Sequence, residues 1–216
     1  MKTPNKQNTP MKTHTLILLA SLAVTLSARA ALIIPDTATA SSEFNANYLA
    51  VNTINGSGMP IGYDTDSAHA DYAVLNHWTT STGDVIGAWI DWGFDTPATL
   101  GQIFIWTHRS NNIAVNSSYS PTRFDLELFD DADVSLLLWE NVALGIDTEF
   151  AQGFTFPAII DDVSRVRFTV LETPETTSFT GLAEVAFTAI PEPSSTLLLG
   201  AGFSLFLHTS RRNCPR

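Results

Sequence analysis

The chain has 216 residues, 44% of them apolar, a length and content that suit one globular domain with processing segments. Between Ala31 and Ile190 only Arg109, Arg123, Arg165 and Arg167 are basic, against 21 Asp and Glu, a net charge of −17; such a surface repels nucleic-acid phosphates and anionic lipid headgroups. The single cysteine, Cys214, lies in the C-terminal tail, which excludes disulfide and thiolate chemistry from the domain itself. Cations, neutral sugars and a saline exterior remain compatible with the charge, and plain solubility is its simplest use.

Met1–Thr13 is polar and basic, with Met11 a second candidate start. Leu16–Leu26 is an apolar run of signal-peptide length, too short to span a bilayer comfortably. It follows Lys12 and closes on Ala28-Arg29-Ala30, an A-x-A cleavage pattern. Residues 1–30 therefore read as a signal peptide, and the mature chain as starting near Ala31.

The segment 31–190 shows short strand-like runs separated by turn chemistry. The candidates are Asn47–Val51, Ala88–Phe94, Gln102–Thr107, Arg123–Phe129, Val134–Trp139, Glu149–Phe156, Val163–Leu171 and Leu182–Thr188. In Ala88–Phe94, Ala88, Ile90 and Trp92 share one face while Trp89, Asp91 and Gly93 share the other, the period-two pattern of a sheet. Pro97 and Gly101 predict a turn between this run and Gln102–Thr107. The second run is apolar on both faces, as expected of a strand buried on both sides, and Trp78, Trp89, Trp92 and Trp106 are assigned to the core. Asp130-Asp131-Ala132-Asp133 predicts a hairpin turn. No stretch keeps a 3.6-residue period with caps, so the pattern predicts an all-β sandwich or jelly roll. Asn55–Trp78 stands apart as a long Gly- and Asp-rich loop, a length that suggests function.

Two stretches invite a metal or catalytic reading. Asp64, Asp66 and Asp71 with His69 put three carboxylates and an imidazole in one loop, but without EF-hand spacing, and a solvated acidic loop is the simpler reading. His69 with His77 makes a distant zinc pair without cysteine support. Asp91 and Asp125 are conceivable as a glycosidase pair, but nothing in the sequence brings them together, and capping a turn or pairing with Arg123, Arg165 or Arg167 is the better reading. No nucleophile elbow or HExxH is present, so no catalytic residue is assigned. Sugar sites combine an aromatic face for the apolar side of the ring with Arg, His, Asn or Asp for its hydroxyls, and the loop residues fitting that description are His77, His108, Arg109, Asn111, Tyr119 and Phe179.

Two parts of the chain resemble known families. Pro191-Glu192-Pro193, the apolar Thr196–Leu207 and the basic end Arg211-Arg212 and Arg216 resemble the PEP-CTERM sorting signal of Gram-negative bacteria. This implies residues 191–216 as a sorting tail, an exosortase partner, a transient membrane hold and delivery to the cell surface or extracellular matrix. Across Ala38–Ala189, the pieces Ala40-Ser-Ser-Glu-Phe-Asn45, Ala50-Val-Asn-Thr-Ile-Asn-Gly56, His77-Trp78-Thr79, Gly87-Ala-Trp-Ile-Asp-Trp-Gly93, Arg165-Val-Arg-Phe-Thr-Val170 and Gly181-Leu-Ala-Glu-Val-Ala-Phe187 resemble, in order and spacing, the discoidin or coagulation-factor type C domain. Its sugar-binding relatives are carbohydrate-binding module family 32. The resemblance implies a galactose-binding-like jelly-roll β-sandwich over 31–190, non-catalytic by itself, whose end loops bind an extracellular polysaccharide or surface glycan. It puts Arg109 and Phe179 first among the rim residues. It also implies a structural Ca²⁺ near Asn55 and Glu184, with Asn55 standing where the family usually has Asp and so offering a neutral ligand. A matrix protein that makes protein contacts without binding sugar is the alternative.

Overall fold

The computed structural model describes residues 31–108, 119–146, 148–174 and 178–189. Residues 1–30 and 191–216, read as a signal peptide and a sorting tail, lie outside them. The eight strands are β1 (Ala31–Ile33), β2 (Thr37–Ala40), β3 (Trp78–Thr79), β4 (Trp89–Thr107), β5 (Arg123–Phe129), β6 (Ser135–Ala143), β7 (Gln152–Glu172) and β8 (Gly181–Ala189). They pair antiparallel in the order β1-β8-β4-β7-β5-β6, with β2 added on β4 and β3 on β8. The only helical element among the described residues is a 3₁₀ turn at Ala50–Thr53, so the expected all-β jelly roll is the observed fold.

The predicted turn at Pro97 and Gly101 is not a hairpin. β4 runs straight through it, with register shifts between Gly93 and Ala98, Ala98 and Leu100, and Leu100 and Gln102. A hairpin would have paired the two halves of β4 with each other; instead each half finds other partners. Trp89–Gly93 lies between β2 and the Arg165–Thr169 part of β7, and Gln102–Ile105 lies between β8 and the Gln152–Thr155 part of β7. Pro97, which has no N–H to give a ladder, falls in the interval between the two registers. The two separate strands read over 149–156 and 163–171 are likewise one element, β7, with Asp162 in the left-handed region (φ 59°) between them. Asn47–Val51, read as a strand, is loop leading into the 3₁₀ turn. The short β1, β2 and β3 were too brief to leave a periodic trace.

Passing both long strands through both halves of the sheet folds it around one core. Trp92 shows how the halves meet: its ring contacts Phe168 at 6.1 Å and Phe187 at 6.2 Å, and its Nε1–H donates to Thr53 Oγ1 at 2.9 Å. Ile90, Ile103, Ile105, Phe124, Leu126, Val166 and Phe168 are fully buried beside it. Each such side chain contributes on the order of 2 kcal/mol through area removed from water. Trp78, Trp92 and Trp106 are core residues as expected, but Trp89 is not: it is half-buried on the outer face, with the Arg167 guanidinium 4.4 Å from its ring centre.

The apolar second face of β4 is covered by the long loop. Phe104 and Trp106 point away from the main core, and Met59 and Tyr63 pack onto them with Ala183 and Ala186. Trp106 Nε1–H donates to the Ser67 carbonyl at 2.9 Å, and the Tyr63 ring meets it edge-on at 6.0 Å. The 55–78 segment is thus a structural cover as well as a wall of the site described next.

Candidate functional site

The site is built around β3. In an extended segment successive side chains point to opposite sides: Trp78 enters the core, its Nε1–H on the Ser42 carbonyl at 2.9 Å, while Thr79 turns to the cavity described next. β3 is seated tightly on β8: a Cβ at Gly181 would overlap the Trp78 carbonyl oxygen, so this close approach requires glycine.

Above His77 and Thr79 six rings close a cycle. Phe44 meets Tyr48 at 5.8 Å, Tyr48 stacks on Tyr72 at 5.9 Å, and Tyr72 meets His108 at 5.1 Å. His108 then meets Tyr119 at 5.7 Å, Tyr119 meets Phe179 at 5.8 Å, and Phe179 returns to Phe44 at 5.2 Å. Tyr72 donates its hydroxyl hydrogen to the Tyr48 hydroxyl at 2.8 Å. The collar holds a cavity of about 120 Å³ lined by Phe44, Tyr48, Tyr72, Thr79, Tyr119 and Phe179. Two backbone ties hold its far side: Thr180 Oγ1 donates to the Tyr119 carbonyl at 3.0 Å and Ser120 Oγ to the His108 carbonyl at 2.8 Å.

The floor is polar and neutral. His77 is 1% exposed and lies under Tyr72 (4.3 Å), Tyr48 (4.8 Å) and His108 (4.8 Å). Its Nδ1 is 2.8 Å from Asn76 Oδ1. The Asn76 amide is oriented by its other bonds, since Oδ1 accepts from Ala73 N–H at 2.9 Å and Nδ2 donates to the Asp71 carbonyl at 3.0 Å. An oxygen therefore faces His77, Nδ1 carries the hydrogen, and Nε2 is left as a bare acceptor. Burial first, and His108 and His69 second, push the His77 imidazole down to about 2, so it is neutral at any working pH. His77 Nε2 and Thr79 Oγ1 are both buried without a hydrogen-bond partner among the described residues.

The structure thus brings together four of the six predicted rim residues: His77, His108, Tyr119 and Phe179. Two of them are not free loop ends, because His77 and His108 are each 1% exposed and form floor and wall; the rings stacked on them remove them from solvent. Arg109 and Asn111 lie outside the described residues. Sequence reasoning missed Phe44, Tyr48, Tyr72 and Thr79. Phe44 stands inside the quoted Ala40–Asn45 piece, and an aromatic in a polar loop was the available hint; Tyr72, deep in the long loop, gave no positional one.

The remaining candidates are dispersed. Asp91 takes a bidentate pair from Arg167, 2.7 Å at each oxygen, and a third bond from Arg165 at 3.2 Å, while Asp125 accepts the Asn141 amide at 2.7 Å. The alternatives of ion pairing and turn capping account for both. Asp64 Oδ1 accepts from Asp66 N–H and Ser67 Oγ, each at 3.1 Å, as a self-capped acidic loop does. His69 turns its Nδ1 to the Ala70 carbonyl at 2.7 Å and its Nε2 to the Ser57 carbonyl at 3.1 Å, so neither nitrogen is presented to His77 as a zinc ligand. Among the described residues no three His, Cys, Asp or Glu side chains converge for a metal.

At the implied calcium position the two residues behave differently. Glu184 is fully buried; Oε1 accepts Gly56 N–H at 3.1 Å and Oε2 has no hydrogen-bond partner in this geometry. Burial raises its carboxyl to about 8, opposed by the Gly56 amide and the Tyr63 hydroxyl. That orphaned oxygen fits a hard cation. The Asn55 side chain is tied in place, with Oδ1 accepting Ser57 N–H at 2.7 Å on one of its two lone pairs and Nδ2 donating to Asn52 and to the Leu75 carbonyl, both at 3.2 Å.

No family model matches the chain, and no curated protein matches it. Solved structures do. The family 32 carbohydrate-binding module of Clostridium perfringens NanJ, in complex with galactose, superposes with a TM-score of 0.50 at 17% identity, covering 70% of this chain and 91% of that one. The lectin domain of lectinolysin complexed with Lewis B antigen gives 0.52 at 17%, covering 72% and 93%. A fucose-binding module of Streptococcus pneumoniae gives 0.50 at 14%, covering 71% and 91%. At these identities the likeness is one of fold.

Proposed function

We propose that this chain is a non-catalytic glycan-binding module, secreted and sorted to the cell surface or matrix of a Gram-negative bacterium, whose ligand is an extracellular polysaccharide or surface glycan. The observation that carries the glycan reading is the aromatic collar around a neutral polar floor, an arrangement that stacks on the apolar face of a sugar while meeting its hydroxyls. The fold neighbours support it, since those structures hold galactose or Lewis B or are named for fucose binding. In this reading Phe179 and Tyr119 stack on the sugar and His77 and His108 pack behind them, while Arg109 and Asn111 remain candidates for meeting hydroxyls by residue type alone. Sorting, the exosortase partner and the membrane hold rest on the sequence of residues 1–30 and 191–216. Calcium belongs to the reading as a structural ion that would neutralise the buried Glu184 carboxylate, with Asn55 Oδ1 offering its second lone pair.

A glycan array probed with the full chain, in calcium and then in chelator, tests it. Selective binding that Phe179→Ala or Arg109→Ala weakens at least tenfold supports the module and its site; a folded chain that binds no glycan removes the reading. The alternative, a matrix protein working through protein contacts, draws on the apolar outer face of the edge strand β6, where Leu136 and Leu138 are 37% and 51% exposed.

A further inference from the structure

The collar is poor in hydrogen-bonding groups and rich in rings. Of the six described residues that line its cavity, five are Phe or Tyr and the sixth is Thr79. Successive rings meet much as the sides of a box do: Phe44 to Phe179 at 84°, Phe179 to Tyr119 at 79° and Tyr119 to His108 at 71°. Tyr48 and Tyr72 stand nearly parallel, at 19°. The cavity of about 120 Å³ is somewhat smaller than the ~150 Å³ that holds one benzene ring. It takes about five heavy atoms on that scale, well short of a whole pyranose with its hydroxyls. A glycan therefore fills it with a substituent and leaves its own ring at the mouth.

The box suits positive charge. An aromatic ring is negative on its face and attracts a cation held within about 6 Å of its centre, and among the described residues the lining holds no Lys or Arg. In sequence the acids Glu43 and Asp71 directly precede Phe44 and Tyr72, against one base, Arg109, after His108, and the domain carries −17. A primary ammonium would bring three N–H donors that need acceptors. Here the Tyr72 and Tyr48 hydroxyls are bonded to each other and β3 contributes only the Thr79 hydroxyl. A methylated ammonium brings the charge with no donor to satisfy. We infer that the collar is an aromatic cage for a methylated ammonium group of the choline type, and that the glycan this module binds carries such a group as a substituent. The carrier rests on the glycan reading above; the cage rests on the collar alone. A neutral substituent of the same shape gains the burial but not the cation–π attraction, and an anionic one meets the ring faces and the acidic domain unfavourably.

The test uses the full chain with choline and tetramethylammonium chlorides as probes, beside the neutral isostere of choline in which carbon replaces the quaternary nitrogen. Protons held over ring faces are shielded, so the choline N-methyl resonance should move upfield as the protein is added. Choline should bind at least about tenfold more tightly than its isostere, and less tightly as salt screens the acidic domain. Phe179→Leu and Tyr119→Leu keep an apolar wall but remove a ring face; each should weaken choline by about fivefold or more. Equal affinity for choline and isostere, or no saturable choline shift with the folded wild type, overturns the cage, and both are read on the wild type even where a variant fails to fold. A choline-substituted polysaccharide and phosphatidylcholine vesicles then separate the carriers. Capture of the polysaccharide, competed by free choline, supports the whole inference. Capture by the vesicles alone overturns its glycan half and the glycan reading with it, while the cage stands. Glycan-array binding that free choline does not compete overturns the inference and spares the glycan reading.

Discussion

Asp91 illustrates how single residues divide between scaffold and site. Its two oxygens take the Arg167 fork and Arg165, and Arg165 also reaches Asp133 at 2.8 Å. The guanidinium of Arg165 stacks 3.8 Å from the centre of the Phe129 ring, as Arg167 does on Trp89. Asp91→Asn keeps the shape and removes the charge that both arginines share; a loss of about 1–3 kcal/mol in urea-melt stability is expected, with glycan binding unchanged. Gly181→Ala reaches the site as well. The added methyl must displace the Trp78 carbonyl, so β3 shifts and the floor with it, and both stability and binding should fall. Buried titratable groups set a pH profile. Glu184 is raised by burial from 4.5 to about 8, so its protonated form favours the fold; that contribution is full below about 4.5 and lost as pH rises to about 8. His77 is lowered from 6.5 to about 2, so the folded state resists its protonation and loses stability as pH falls below about 6.5. Melting temperatures in chelator should therefore hold a broad maximum between about pH 4.5 and 6.5. Glu184→Gln should flatten the alkaline limb, and an alkaline limb that persists in that variant would refute the assignment. Calcium that raises the wild-type melting temperature but not that of Glu184→Gln would place the ion at this carboxylate; no rise in either would remove it.

At the scale of elements, the loop from 55 to 78 does two jobs that one composition hides. Its first part, with Met59 and Tyr63, covers Trp106, and its second part supplies Tyr72 to the collar. His69 joins them. Its ring nitrogens lie 2.7 Å from the Ala70 carbonyl and 3.1 Å from the Ser57 carbonyl, tying the two parts of the loop together. Gly58 stands so close that a Cβ there would come within 2.7 Å of the ring. His69→Phe fills the space but donates nothing. Faster amide exchange through residues 57–72 and weaker glycan binding are expected, with the β4 and β7 amides staying protected. The sequence showed that this loop was unusual and acidic; it could not show that the loop packs on β4, because Met59, Tyr63 and Trp106 meet only when strands far apart in sequence pair. The strands fared differently. Ala88–Phe94 and Arg123–Phe129 were legible as strands, as found, whereas Pro97 and Gly101 looked like a turn because local chemistry is the same at a hairpin and at a bulged bend.

For the molecule as a whole, the question is what its edges and charge allow. β6 pairs only with β5 and shows Leu136 and Leu138 outward, with Val134 beside them at the turn. Edge strands without lysine or proline pair readily with others, and β6 has neither. Leu138→Lys should lower any self-association seen by sedimentation velocity without altering glycan binding; unchanged sedimentation would leave the matrix alternative without its structural support. The acidic composition, the absence of cysteine from the domain and the all-β class followed from residue identity alone, because charge count, apolar periodicity and turn residues are local properties. Four rim residues were also legible by type. What the tertiary structure decided was their roles. The collar joins Phe44, Tyr48, Tyr72, His108, Tyr119 and Phe179 from separate loops, and the tautomer of His77 depends on an Asn76 amide oriented by Ala73 and Asp71. Such relations exist only after long-range pairing has spent the chain's entropy on one arrangement, so no window of sequence contains them.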